Sequence, residues 1–248
     1  FPIFFESATI KFLEINKNLI KLQKKEFKKI FSSKINWGNN LTFKSNTPLI
    51  VYSNEFFDCF PVRQFVYKNS WFEKYISLND KIDKLYFKDK KVVNKKLLSF
   101  LDLYKKKGFL EISFERNLFY ENICRKIKKS GGLFLTIDYG YFQNSKNFTL
   151  QAIQNHKFSN VLDNIGEKDI SSHVNFQDLK NIALKHKLKI EEYCTQRDFL
   201  IKYGILERYK IIFNSSKLNS LRTDLQRLIG KDTMGNLFKC LIVSKILK

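Results

Sequence analysis

The residues best suited to chemistry are Asn54, Glu55 and Asp58. They stand in the run Asn54-Glu55-Phe56-Phe57-Asp58, directly after the apolar stretch Leu49-Ile50-Val51-Tyr52. Glu55 and Asp58 are three residues apart, so one helical turn or a tight loop can aim both carboxylates at one point. Two carboxylates and an amide, interleaved with aromatic rings, suit a polar or cationic ligand. An ordinary polar loop plugged by two phenylalanines fits the same residues, and the local pattern leaves both readings open.

The element that must deliver these side chains is the Leu49–Tyr52 run. A short apolar run ending in a polar cluster reads as a buried parallel strand, and in open α/β sheets ligands bind at the carboxyl ends of the strands. Leu133–Ile137 is a second continuous apolar run, closing on Asp138-Tyr139. Thr9–Glu14, Leu188–Tyr193 and Leu237–Ile246 read as further strands, with a short one near Lys34–Trp37. Helices alternate with them. Asn18–Phe31 repeats Leu19, Leu22, Phe27, Ile30 and Phe31 at helical spacing. Asn94–Lys107 stops at Gly108, Ser113 caps a helix running to Lys129, and Gly131-Gly132 ends it. Asn175–Lys187 and Arg197–Gly230 are also helical by pattern.

Arg63–Lys68 and Trp71–Ser77 form a hairpin about Asn69-Ser70, with Ile82–Phe87 as a third strand, so that residues 63–90 read as a β-hairpin insertion. Phe142–Val174 is long, aromatic and polar, and a loop of that length in a compact domain is usually functional. These patterns together predict one α/β domain over residues 1–248.

The chain has 248 residues, 44% of them hydrophobic and 15% aromatic, enough for one sizeable core. No apolar run approaches the roughly 18 residues of a membrane span. The net charge of +21 comes from 45 basic residues, only seven of which are Arg. Bidentate recognition of phosphates favours Arg, and the lysines are spread rather than clustered, so the charge reads as a Lys-rich solvated surface and not as specific nucleic-acid binding. Cys59, Cys124, Cys194 and Cys240 show no Cys-x-x-Cys spacing, which argues against a zinc site and for a reducing compartment. His156, His173 and His186 have no metal-ligand spacing.

Asn54-Glu55-Phe56-Phe57-Asp58 followed by Pro61-Val62-Arg63-Gln64-Phe65 resembles the signature of the MidA-like S-adenosylmethionine-dependent methyltransferases. The similarity continues through Gly131-Gly132, Ile137-Asp138-Tyr139-Gly140-Tyr141, Thr149-Leu150-Gln151-Ala152 and Asn155-His156-Lys157. It resumes at Asp169-Ile170-Ser171-Ser172-His173-Val174-Asn175-Phe176 and Thr195-Gln196-Arg197-Asp198-Phe199-Leu200, in the family's order. That family includes a mitochondrial arginine methyltransferase that assists assembly of respiratory complex I.

The resemblance implies a Rossmann-like class I methyltransferase sheet with helices on both faces. The cofactor it implies is S-adenosyl-L-methionine, and the substrate a protein, with a complex I subunit expected. The location follows as the bacterial cytoplasm, or the mitochondrial matrix if the source is eukaryotic. Glu55 and Asp58 become the catalytic carboxylates, able to hold a guanidinium and accept its proton. Glu14 becomes the acid that binds the cofactor ribose, with Asn39 beside the adenine and Asn54 at the strand end as further cofactor contacts. Asp138, Tyr139, His156 and His173 become substrate contacts, and no metal is implied. The family's glycine-rich nucleotide loop has no counterpart among the nine glycines, and the Thr9–Glu14 strand resembles the family's second. The resemblance therefore implies an amino-terminally truncated chain lacking the first strand, whose place is central in the sheet. Two other functions stay open on sequence: a non-catalytic assembly or scaffold protein on a methyltransferase fold, and, on charge alone, a nucleic-acid binder.

Overall fold

Alternating apolar runs and amphipathic stretches fold here into layered sheets and helices, as a computed structural model shows. It describes residues 7–27, 35–40, 47–79, 81, 84–143, 145, 147–155, 157–216 and 220–246. The chain divides into two compact units, residues 1–46 and 47–248.

In the first unit, β1 (Ile10–Leu13) pairs in parallel with β2 (Ile35–Gly38), and α1 (Lys17–Phe27) connects them. Phe12 rests between Phe27 and Trp37, with ring centroids 5.1 and 5.6 Å away. Trp37 donates its indole N–H to Gln23 at 2.8 Å. The helix predicted to Phe31 is seen to Phe27, and residues 28–34 lie outside the described ones.

The second unit begins with β3 (Leu49–Asn54), then β4 (Arg63–Tyr67), β5 (Trp71–Asn79), β6 (Lys84–Lys91), α2 (Lys95–Asp102) and β7 (Phe109–Ile112). After α3 (Phe114–Ser130) and β8 (Gly132–Tyr141) come the short strands β9 (Gln151–Gln154), β10 (Lys157–Ser159), β11 (Asp169–Ser171) and β12 (Val174–Asn175). The chain ends through α4 (Phe176–Lys185), β13 (Lys189–Thr195), α5 (Gln196–Lys202), α6 (Ile205–Ser216), α7 (Ser220–Ile229), α8 (Met234–Leu237) and β14 (Phe238–Lys245).

The main sheet runs β12-β8-β14-β13, with β3 also beside β8. β3 and β12 lie parallel to β8, while β14 is antiparallel to both β8 and β13. Among the described residues no strand pairs with both β1 and β3. Helices cover both faces. On one, Tyr120 of α3 packs against Phe134 of β8 with centroids 5.1 Å apart, and both are fully buried. On the other, Phe199 of α5 and Met234 of α8 pack on Ile137, Phe238 and Cys240.

The predicted hairpin is present, but it belongs to a four-stranded sheet ordered β6-β5-β4-β7. β7 is a strand the pattern analysis missed. Phe109–Ile112 is only four residues long, and its character comes from pairing with β4 rather than from its own alternation. This sheet has its own core of Phe65, Trp71, Val92, Leu101 and Ile112. The helix predicted over 94–107 breaks after Asp102, and Gly108 turns the chain at φ 73°. The stretch Phe142–Val174, predicted as a long loop, holds the three-stranded sheet β10-β9-β11. Among the described residues no helix is long and apolar enough to cross a membrane.

Candidate functional site

The site grows from the carboxyl ends of β3 and β8, which run side by side from Leu49↔Gly132 to Asn54↔Ile137. The ladder continues one step beyond β3, where Glu55 donates its N–H to Ile137 O at 3.1 Å. There the chain turns sharply: Glu55 has φ 46°, a left-handed conformation that costs a non-glycine residue about 1–3 kcal/mol. Phe57, fully buried, anchors the turn against Tyr120 and Phe134, a burial worth about 1.5–3 kcal/mol. The hydrophobic plug and the polar site are therefore one structure: the buried ring holds the turn while Asn54 and Glu55 stay exposed.

Asp138 is the turn's polar anchor. Its Oδ2 accepts the backbone N–H of Phe56 at 3.1 Å and of Phe57 at 2.9 Å, and its Oδ1 accepts that of Tyr139 at 3.0 Å. Expected as a substrate contact, it is instead fully buried with both oxygens engaged by the backbone. Burial, then the neighbouring charge of Asp58, raises its pKa to about 7 against the pull of these N–H groups and of Arg116.

Asp58 is buried and accepts a hydrogen bond from the Tyr139 hydroxyl. Burial and the bond to Asp58 push the Tyr139 phenol far above its usual value. Glu55 also has its pKa raised, first by desolvation and then by Asp58, while a hydrogen bond from Asn54 and the charge of Arg227 hold it down. Asn54, Glu55, Asp58 and Tyr139 thus form one interacting group. His173 joins it by stacking edge-on to Tyr139 with centroids 5.7 Å apart. Burial, with Lys239 nearby, lowers the His173 pKa, so its ring is neutral near pH 7.

Pattern reading missed what lies behind this wall. Arg116 donates to Phe57 O at 2.7 Å, to His173 O at 3.2 Å and to Ser172 Oγ at 2.7 Å. Ser172 in turn donates its N–H to Asp58 O at 3.0 Å. Glu111 accepts from Gln64 at 2.7 Å and from the Thr149 N–H at 3.1 Å, and Thr149 Oγ1 accepts the His173 N–H at 2.9 Å. A signal was available for Arg116: it is one of only seven arginines in a chain that otherwise uses lysine.

In the first unit Glu14 follows β1 and donates its N–H to Gly38 O at 3.2 Å. Its Oε1 accepts the Asn16 N–H at 2.8 Å. Asn39 follows Gly38, the position paired with Leu13, so Glu14 and Asn39 leave adjacent strand ends. Among the described residues Oε1 is the Glu14 oxygen that is engaged, and a strand-end carboxylate of this kind could serve the two hydroxyls of a ribose. His156 lies outside the described residues.

Residues 1–194 match the family model described as putative S-adenosyl-L-methionine-dependent methyltransferase. The chain is 27% identical over 199 residues to the mitochondrial protein arginine methyltransferase NDUFAF7 of Danio rerio, covering 77% of this chain and 46% of that protein. It is 29% identical over 172 residues to the Caenorhabditis elegans homolog, covering 68% and 40%. The chain therefore spans less than half the length of these relatives. A Burkholderia thailandensis structure with S-adenosyl-homocysteine bound superposes with a TM-score of 0.82 over 96% of this chain and 64% of that one, at 19% identity, which establishes a shared fold. The chain belongs to the family of putative S-adenosyl-L-methionine-dependent methyltransferases.

Proposed function

We propose that this chain serves a protein-arginine N-methyltransferase, with Glu55 and Asp58 receiving the acceptor guanidinium. The observation that carries the reading is the pairing of these carboxylates at the end of β3, close enough for Asp58 to raise the Glu55 pKa, with Asp58 oriented by Tyr139. Two adjacent carboxylates repel each other, and a guanidinium, which is always protonated and presents donors in a planar fork, relieves that repulsion. The names of the relatives support the arginine, and the resemblance of the sequence blocks supports a respiratory complex I subunit as the protein that carries it.

S-adenosylmethionine, when bound, supplies an electrophilic methyl group on a sulfonium. The chain's own residues do the rest. Glu14 would accept hydrogen bonds from the ribose hydroxyls of the bound cofactor, and Asn39 would serve its adenine. Asn54 holds the strand end and hydrogen-bonds Glu55. Asp58, fixed by Tyr139, would orient the guanidinium so that one nitrogen can act as the in-line nucleophile, which is most of what such a displacement needs. A nitrogen–carbon bond would form as the sulfur–methyl bond breaks, the electron pair leaving with the sulfur of S-adenosyl-homocysteine, and one proton must leave that nitrogen. Glu55, the carboxylate with the raised proton affinity, accepts it. His173, neutral and packed on Tyr139, closes the wall.

The test is methylation of an arginine-containing peptide by the whole protein, read by mass spectrometry. Glu55→Gln and Asp58→Asn should each retain the fold and the binding of S-adenosyl-homocysteine yet lose most transfer. Wild-type rates in both variants would sink the assignment. Cofactor binding with no transfer to any arginine peptide would favour the scaffold function instead.

A further inference from the structure

We propose that Arg116 is the positioning residue of the acceptor site: its guanidinium ties the Glu55–Asp58 turn to the Ser172–His173 segment and so fixes Asp58 and His173 relative to each other. The inference rests on reading Glu55 and Asp58 as the place of the methyl acceptor.

Three features carry it. First, the three donors of Arg116 reach two separate segments: Nε goes to Phe57 O on the turn, while the two terminal nitrogens go to His173 O and Ser172 Oγ. The segments also touch directly, through the Ser172 N–H on Asp58 O, so the guanidinium closes a ring of contacts that includes the backbone of Asp58. Only a rigid planar fork satisfies three divergent acceptors at once, and a lysine ammonium on a flexible stem does not reproduce it.

Second, Arg116 stands in the first turn of α3, where Ser113 caps the helix by accepting the Arg116 N–H at 3.2 Å. A cation at a helix amino terminus opposes the helix dipole, and this one is only 4% exposed. Helix formation and solvation both work against arginine here, and the three hydrogen bonds it makes offset those costs. Third, the charge it brings is matched by buried carboxylates around it, among them Asp138, Glu111 and Asp58, which favour the charged guanidinium against the burial that lowers its pKa. Arg116 is thus the counter-charge of the wall as well as its strut. It does not touch the acceptor. It acts through Phe57, Asp58 and His173.

The experiment uses the whole protein with Arg116→Lys, and Ser172→Ala as a milder variant that removes one arm of the clamp. Folding is checked by cooperative thermal unfolding, cofactor-side integrity by calorimetry with S-adenosyl-homocysteine, and turnover with an arginine-containing peptide. Arg116→Lys should lower kcat per folded molecule by about tenfold to a hundredfold, as small misplacements of reacting groups do. Its dissociation constant for S-adenosyl-homocysteine should stay within about twofold. Ser172→Ala should move kcat in the same direction by less, and the Ser172 amide should exchange with deuterium faster in Arg116→Lys. A purely structural role would lower the folded fraction and leave kcat per folded molecule unchanged, which would overturn the proposal. If the wild-type protein binds S-adenosyl-homocysteine but methylates no arginine peptide, the acceptor reading fails. In that case amide exchange decides the clamp by itself: faster exchange at Ser172 retains it, and unchanged exchange removes it.

Discussion

Phe57 donates its backbone N–H to Asp138 Oδ2 at 2.9 Å while its ring is fully buried, so one residue joins the polar and apolar supports of the turn. The Asp138 carboxylate is correspondingly sensitive to pH. Its folded pKa of about 7 lies above the ordinary value near 3.9, so between those limits the folded state binds the extra proton. Stability from this group is fully present below about pH 4 and is lost as pH rises through 7. Asp138→Asn does not titrate and provides the reference. We expect the melting temperature of the wild type relative to Asp138→Asn to fall across pH 4–7 by several degrees. A gap that widens with pH would show that the carboxylate is stabilised as an anion instead.

Glu55 carries the strained conformation of the site, at φ 46°. Glycine adopts that conformation freely, so Glu55→Gly should raise stability by about 0.5–1 kcal/mol, the strain released being offset in part by unfolded-chain entropy. The same change should abolish transfer to an arginine peptide. Urea unfolding together with the turnover assay checks both halves. A loss of stability would mean that the Asn54–Glu55 contact outweighs the backbone strain.

The outline of this fold was legible because β3 and β8 are continuous apolar runs closing on polar clusters, and because Ser113 and Gly131 bracket α3 with strong end signals. The acidic turn was legible for the same reason: Glu55 and Asp58 interrupt an aromatic run where a strand must end. What was not legible is non-local. β7 is a strand only because β4 lies beside it. Asp138 looked like a site acid, and its spacing could not show that three backbone N–H groups 81 to 82 residues away or adjacent to it would claim its oxygens. Arg116 is 56 to 59 residues from its three partners, so no window on the sequence contains the clamp.

Glu14 makes a prediction in the first unit alone. Its Oε1 already holds the Asn16 N–H, so Glu14→Gln preserves the turn while weakening an acceptor of ribose hydroxyls. Replacing charged by neutral hydrogen bonding should cost about 1–3 kcal/mol, read in calorimetry as roughly tenfold weaker binding of S-adenosyl-homocysteine by the whole protein. Unchanged affinity would remove Glu14 from the cofactor assignment.

Gly140 tests the other wall of the site by sterics alone. It pairs with Val174 where β12 meets β8, and a Cβ at this position would lie 2.1 Å from Val174 O and 3.0 Å from Phe176 Cδ2. Neither neighbour can yield easily: the first is backbone in a sheet, and Phe176 is fully buried at the start of α4. Gly140→Ala must therefore push β12 outward, and with it His173, which immediately precedes Val174 and stacks on Tyr139. Overpacking of this kind costs about 1–3 kcal/mol or more. We expect a lower urea midpoint with an unchanged slope, faster exchange at the His173 amide, and a drop in transfer to an arginine peptide larger than the loss of folded protein explains. A Gly140→Ala variant with wild-type stability would mean that β12 is not held against β8 at the distance found here, and the His173 wall would lose its support.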